Sequence, residues 1–113
     1  MSNKSNWALY VEEREGLQVL EKGYGFVCYK INGEECFIQA IFIRKENRLK
    51  KMGTNLMDEI SEIAKKEGCK FMTATITKFD SDATSSLRAA LAYGFKLADA
   101  NNGTILITKK IEV

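Results

Sequence analysis

Phe37-Ile38-Gln39-Ala40-Ile41-Phe42-Ile43, then Arg44-Lys45-Glu46-Asn47-Arg48-Leu49-Lys50-Lys51-Met52-Gly53-Thr54, then an amphipathic run to Gly68: this stretch decides the fold. Its first part is almost wholly apolar, as a strand covered on both faces requires. Its second part gathers Arg44, Lys45, Arg48, Lys50 and Lys51 into a local basic patch. Met52, Leu56, Ile60, Ile63 and Ala64 then trace one face of a helix, Glu62 and Lys66 form an i,i+4 pair on another, and Gly68 ends it. A buried strand feeding a basic turn that opens a helix leaves backbone N–H groups unpaired beside the positive end of the helix dipole. The combination predicts an anion site at the helix start.

Upstream, Tyr24 to Ile31 and Glu34 to Ile43 flank Asn32-Gly33, a strong hairpin signal because a type I′ turn needs positive φ at both central positions. A two-residue loop there pairs Ile31 with Glu34. It sets Gly25, Val27, Tyr29, Cys36, Ile38 and Ala40 on one face and Tyr24, Phe26, Cys28, Phe37, Gln39 and Ile41 on the other. Both faces are largely apolar, so the sheet needs cover on two sides. An α/β or α+β layered domain satisfies that need. Before the hairpin, Ser5 or Asn6 can cap and Gly16 can stop a short helix over 5–15, with Trp7, Tyr10, Val11 and Arg14 on one face; Leu17 to Glu21 reads as a strand.

Downstream, Cys69 to Thr77 is a β-branched run suited to a strand. Joined through a helix, it becomes the parallel neighbour of Phe37–Ile43 by a right-handed crossover. Asp80-Ser81-Asp82 supplies caps for a helix from about Asp82 to Tyr93, and Phe95 to Ala98 with Thr104 to Ile111 brackets Asp99–Gly103 as a final hairpin. The order is α-β-β-β-α-β-α-β-β in one domain over 1–113, with neither an internal repeat nor a linker.

Composition narrows the chemistry. A chain of 113 residues, 45% hydrophobic and 28% charged, makes one domain without a metal or disulfide staple. Absence of histidine excludes Ser-His-Asp and Cys-His mechanisms and the commonest zinc sets within the chain. Cys28, Cys36 and Cys69 lie within or beside apolar runs and read as buried thiols, with a catalytic nucleophile as the alternative. No h-region or bilayer-spanning run is present, which predicts a soluble, cytoplasmic protein away from membranes. A net charge of +2 and the lack of an RNP-like signature give a nucleic-acid surface no support, although Tyr24, Phe26 and Tyr29 alternate beside the basic patch.

Counted from Ile43, the central stretch resembles the acyl-CoA loop of the GNAT family (Gcn5-related N-acetyltransferases). That loop follows a strand ending in an aliphatic residue, with an Arg or Gln five residues later and then x-x-Gly-x-Gly or Ala. Arg48 and Gly53 stand at the first and last of these positions without a gap, and Thr54 and Leu56 suit the first helical turn. Lys51 stands where the family prefers its middle glycine, and Leu49 where a further glycine is frequent. Gly94-Phe95 is similar to the Gly-Phe that closes the family's following helix.

The resemblance runs from Leu17 to the end and implies a GNAT-like mixed sheet with helices on both faces. It also implies two parallel strands that splay so that the cofactor's pantetheine arm enters between them. At the front, where the family usually has a strand and two helices walling the acceptor site, this chain has one short helix. An open acceptor side suits a bulky acceptor, such as a lysine or terminal amine on a protein. Gly23-Tyr24-Gly25-Phe26-Val27-Cys28-Tyr29 resembles small phage-encoded acetyltransferases that modify host proteins.

For chemistry, the resemblance implies acyl transfer from acetyl-CoA to an amine. A main-chain N–H near Phe42 and Ile43 would polarise the thioester carbonyl. The backbone of Arg48, Leu49, Lys50, Lys51, Met52, Gly53 and Thr54, with Ile43 at its base, would hold the pyrophosphate, helped by the charges of Arg48 and Lys51. Many members carry a tyrosine acid four residues before the Gly of Gly-Phe; here that place is Ala90, with Ser86 four earlier. Tyr93 is the acid candidate from that helix, with a structural role at the helix end as its alternative. No carboxylate lies between Cys36 and Ile43, where Gln39 could position water. Glu34, Glu35, Asp80 and Asp82 are bases through water, or solvated turn and capping residues. Two classes stay open: a CoA-dependent N-acyltransferase working by proximity and backbone electrostatics, and a GNAT-like binding module without chemistry. An exposed sheet edge allows a dimer as well as a monomer.

Overall fold

Gly33 and Glu34 form the two-residue turn between β2 (Gly25–Asn32) and β3 (Glu35–Ile43), with Asn32 paired to Glu35. The computed structural model describes residues 4–48, 50–77 and 83–112. The turn sits one residue later than the Asn32-Gly33 loop that the sequence suggests. Gly33 takes φ 60° while Glu34 is not left-handed, the pattern of a type II′ turn, which needs glycine only at its first central position. An Asn-Gly turn with both φ positive occurs at the other end of the chain. There Asn102 (φ 50°) and Gly103 (φ 81°) join β5 (Lys96–Asn101) to β6 (Thr104–Lys110), extending strand through residues 99–101, which the sequence suggests as loop.

Six strands form one mixed sheet in the order β1-β2-β3-β4-β6-β5, where β1 is Gln18–Lys22 and β4 is Phe71–Thr77. β3 and β4 run parallel, and the other neighbours run antiparallel. Among the described residues three α-helices cover the sheet: α1 (Asn6–Glu15) at the front, α2 (Met52–Lys66) in the β3–β4 crossover, and α3 (Ala83–Tyr93) after β4. The caps proposed at Asp80, Ser81 and Asp82 lie outside the described residues. Among the described residues, no helix is long and apolar enough to cross a membrane.

Both faces of the sheet carry a core. On one, Val27, Tyr29, Cys36, Ile38, Met72 and Ile107 meet Leu56, Ile60 and Ala64 of α2, with Leu87 and Ala90 of α3 packed alongside. Leu56 and Ile60 are fully buried, each contributing about 1.5–3 kcal/mol through apolar burial. On the other face, Ala8 and Val11 of α1 pack on Leu17, Val19 and Cys28. Ser5 caps α1 by accepting a hydrogen bond from the Ala8 N–H, and left-handed Gly16 ends it, as expected. Its buried stripe is rotated from the expected one: Ala8 and Val11 face the sheet, whereas Trp7 and Tyr10 are 42% and 57% exposed. A small residue at position 8 lets the helix lie close to the sheet, and the large rings are left at its side.

The pairing of β2 with β3 carries one irregularity. Its register shifts between Cys28 and Tyr29: Tyr29 pairs with Ile38 but Cys28 pairs with Ala40, so Gln39 is an extra, bulged residue. Beyond it the alternation of β3 reverses. Ile41 and Ile43 join the face of Val27 and Gly25, while Ala40 and Phe42 join Cys28 and Phe26. The sequence-based facing of Ala40 and Ile41 is therefore exchanged.

Candidate functional site

The bulge lies where β3 parts from β4. Pairing between them covers Glu35 to Ile38 against Phe71 to Ala74 and then stops, while β3 continues on β2 to Ile43 and β4 continues on β6 to Thr77. A cleft opens between Gln39–Ile43 and Thr75–Thr77, bordered on both sides by strand backbone. Main-chain direction within it follows from alternation. The Phe42 carbonyl faces Gly25, and the Arg44 N–H donates to the Tyr24 carbonyl at 2.7 Å, so positions 42 and 44 point to β2. Ile43 points the other way, and its carbonyl accepts from Arg48 Nε at 3.0 Å. Of the two carbonyl-polarising candidates, Ile43 therefore turns its main chain to the cleft and Phe42 turns its own to β2. Ile41, two residues before Ile43, shares its direction.

Gly25 makes the strand end possible. A Cβ at this position would stand 2.1 Å from the Phe42 carbonyl oxygen and 3.1 Å from Ile43 Cα, so only glycine allows β2 to approach there.

The chain leaves β3 through a single 3-10 turn, Lys45–Asn47, and reaches α2 through Arg48, Lys50 and Lys51; Leu49 lies outside the described residues. The start of α2 lacks the usual stabilisers. Lys51 at the N-cap is left-handed (φ 62°, ψ 15°), no side chain caps the helix, and its first turn holds no acidic residue. Arg44, Lys45, Arg48, Lys50 and Lys51 lead into the positive dipole end in sequence, with Glu46 as the one carboxylate between 44 and 51, paired to Arg44 at 4.0 Å. Cations at a helix N-terminus oppose the dipole by about 0.3–1 kcal/mol each unless an anion sits between them. Gly53, in the first turn, has no internal steric reason to be glycine: a Cβ would touch only Ile43 Cγ1, at 3.9 Å. As first-turn groups, the N–H donors of Met52, Gly53 and Thr54 have no acceptor within the helix.

Other sequence-derived candidates lie elsewhere. The Tyr93 hydroxyl donates to Asp58 Oδ1 at 2.7 Å, and burial, then that carboxylate, push its pKa well above the ordinary value. Asp58 is six residues into α2, about 9 Å along the axis from the helix start. Tyr93 thus ties α3 to α2 and is not brought to the loop. Glu34 pairs with Lys70 at 2.8 Å, and Glu35 accepts from the Thr73 hydroxyl at 2.5 Å; both sit at the closed end of β3, roughly 20 Å of strand from Ile41. Asp80 and Asp82 lie outside the described residues. Ala90 packs against the core, and Ser86 is exposed on α3. All three cysteines are buried with raised pKa values, Cys36 to about 12 by burial and then by Cys69 and Glu35. Burial and raised pKa values disfavour the thiolate and fit the reading of these cysteines as buried thiols.

Trp7, Phe26 and Phe42 form a row of rings from α1 to the cleft, with centroids 4.6 Å and 5.6 Å apart. None of the sequence-derived candidates anticipates it. The bulge carries Phe42 to the α1 face, and no periodicity count that omits the bulge finds the row.

Comparison with known proteins agrees with this fold. The sequence profile described as the acetyltransferase (GNAT) family matches residues 3–95. No curated protein sequence gives a match. Among solved structures, the PaiA N-acetyltransferase of Thermoplasma acidophilum, in complex with coenzyme A, superposes with a TM-score of 0.72 at 22% identity, over 88% of this chain and 65% of that one. The chain thus spans just under two thirds of that enzyme's length. The ribosomal-protein-S18-alanine N-acetyltransferase of Escherichia coli gives 0.70 at 13% identity, over 97% of this chain and 79% of that one. The anti-CRISPR protein AcrVA5 gives 0.69 at 18% identity, over 82% of this chain and 97% of that one. At these identities the likeness is one of fold.

Proposed function

The chain belongs to the acetyltransferase (GNAT) family, and from that premise we propose that it is an acetyl-CoA-dependent N-acyltransferase acting on an amine of a protein or other bulky acceptor. The start of α2 carries the reading. A left-handed lysine, an uncapped and cation-crowded helix end and a glycine without internal need each oppose local stability, and all are accounted for by a bound pyrophosphate. The first-turn N–H groups of Met52, Gly53 and Thr54 would donate to phosphate oxygens, with Lys51 and the terminal nitrogens of Arg48 adding charge. Coenzyme A is held by a structural neighbour that superposes on 88% of this chain, which supports the same ligand here.

When bound, acetyl-CoA supplies an activated acyl group on a thioester. The chain's own part is positioning and electrostatics. The bulged end of β3 would direct the Ile43 N–H, or that of Ile41, at the carbonyl oxygen as it gains negative charge. Gly25 and the Arg48 hydrogen bond fix Ile43 from both sides and keep that donor in place. Neither Gln39–Ile43 nor Thr75–Thr77 contains a carboxylate, and the amine would arrive as the free base, favoured by the apolar surroundings of Ile41, Phe42 and Ile43. Among the described residues α1 is the one helix ahead of β1, and a surface with that cover suits a large acceptor. AcrVA5, 97% of which is covered, has a comparably compact plan.

A binding module without chemistry is the second reading, favoured by the engagement of the Tyr93 hydroxyl with Asp58. Calorimetric titration with acetyl-CoA, beside Lys51→Glu and Gly53→Glu, tests the first. Micromolar affinity lost in both variants is the expected result. Failure to bind at millimolar ligand would sink the proposal, whereas binding without acyl transfer to any protein amine would favour the module.

A further inference from the structure

Resting on the reading of the cleft as the place where an amine meets an acyl thioester, we infer that the acceptor is a cationic protein segment. It lies across the α1 face with its reacting amine at Phe42 and a second positive charge at Glu21. Glu21, Phe26 and Phe42 stand in one line across β1, β2 and β3, since Glu21 pairs with Phe26 and Phe26 with Phe42, and directly paired residues share a face. With strands about 4.8 Å apart, Glu21 is about 10 Å from Phe42. Trp7 leans on Phe26 at 4.6 Å, and the Phe26 and Phe42 rings stack at 5.6 Å with 28° between planes. The row ends at the cleft in Phe42, 44% exposed, and at α1 in Trp7, 42% exposed.

Stacked rings with a carboxylate at one end are complementary to a positively charged chain. Ring faces attract cations, aliphatic stems of Lys and Arg pack along apolar surface, and a carboxylate gives the charge a partner. Rings on this side already face cations: the Arg48 guanidinium lies 6.0 Å from the Phe42 centroid and that of Arg14 lies 5.6 Å from Tyr10. Glu21 accepts a hydrogen bond from the Ser5 hydroxyl at 3.2 Å, which orients the carboxylate, and no described cation pairs with it. A segment in the polyproline II conformation rises about 3.1 Å per residue and returns to the same face every third residue, so it covers about 10 Å with residues i and i+3 facing the protein together. The acceptor thus carries a Lys or Arg about three positions from the residue that is acylated.

Trp7 is the sole tryptophan, so its emission reports occupancy of this surface without cofactor or turnover. The probes are two end-blocked peptides with one lysine in a Gly-Ser spacer and either Arg or Glu three residues away. Emission should saturate with the Arg peptide at roughly tenfold lower concentration than with the Glu peptide. Glu21→Gln, which can still accept from Ser5, should remove most of that preference at unchanged circular dichroism, and Phe26→Leu should weaken both peptides. Equal affinity for the two peptides, a preference that survives Glu21→Gln, or no saturable change at millimolar peptide would each overturn the proposal. Acetyl-CoA calorimetry of the loop variants decides the acyl-transfer reading on its own, so the two can fail separately.

Discussion

Lys51 and Gly53 are neighbours in one turn with opposite relations to their backbone. Lys51 occupies a left-handed conformation in which an L side chain costs about 1–2 kcal/mol, whereas Gly53 occupies a helical one that alanine would favour by about 0.5–1 kcal/mol. Lys51→Gly should therefore raise the melting temperature by about 4 °C in the absence of ligand. Gly53→Ala should also stabilise the unliganded chain while reducing the further stabilisation by CoA, because its Cβ enters the space that a phosphate would use. Thermal melts with and without CoA separate these effects. The sequence register of Arg48 and Gly53 pointed to this turn. It did not reveal a left-handed Lys51, since nothing in a lysine's own propensity announces that conformation, and only the family's glycine at this place hinted at it.

At the scale of elements, the β2–β3 pair was legible as a hairpin but not in its details. Asn32-Gly33 satisfies the composition of a type I′ turn, yet a single glycine also serves a type II′ turn one residue on, and the chain uses the latter. Gln39 was visible as the polar residue of an apolar run. Its meaning was hidden because Ile41, three residues after buried Ile38, is itself 45% exposed and adds no burial signal to the odd spacing. Gly25 was likewise visible as a residue but not as a contact across strands. Substitution by alanine should lower stability by about 1–3 kcal/mol, since the new methyl group must displace the Phe42 carbonyl. Denaturant unfolding measures that loss.

For the molecule as a whole, helices on both faces and the strand order around the crossover followed from two apolar sheet faces and one parallel connection. Burial of the three cysteines followed from the apolar runs that hold them. Their thiols should resist alkylation at pH 8 in the folded protein and react fully after unfolding. Raised thiol pKa values also set a pH dependence. Cysteine in the unfolded chain ionises near its ordinary value of 9.0, while folded Cys36 holds its proton to about 12, so the stabilisation is complete below pH 9 and fades as pH rises toward 12. Equilibrium unfolding between pH 8 and 11 should show the decline, and Cys36→Ala should flatten it.

In genetic terms, the opening between β3 and β4 is one codon deep. Ala40, Ile41, Phe42 and Ile43 already lie on the faces that a regular strand would give them if Gln39 were absent. An in-frame deletion of that triplet therefore preserves every inward-facing side chain while removing the kink that holds the two strands apart, and it should yield a folded chain with a zipped sheet and no slot for a thioester.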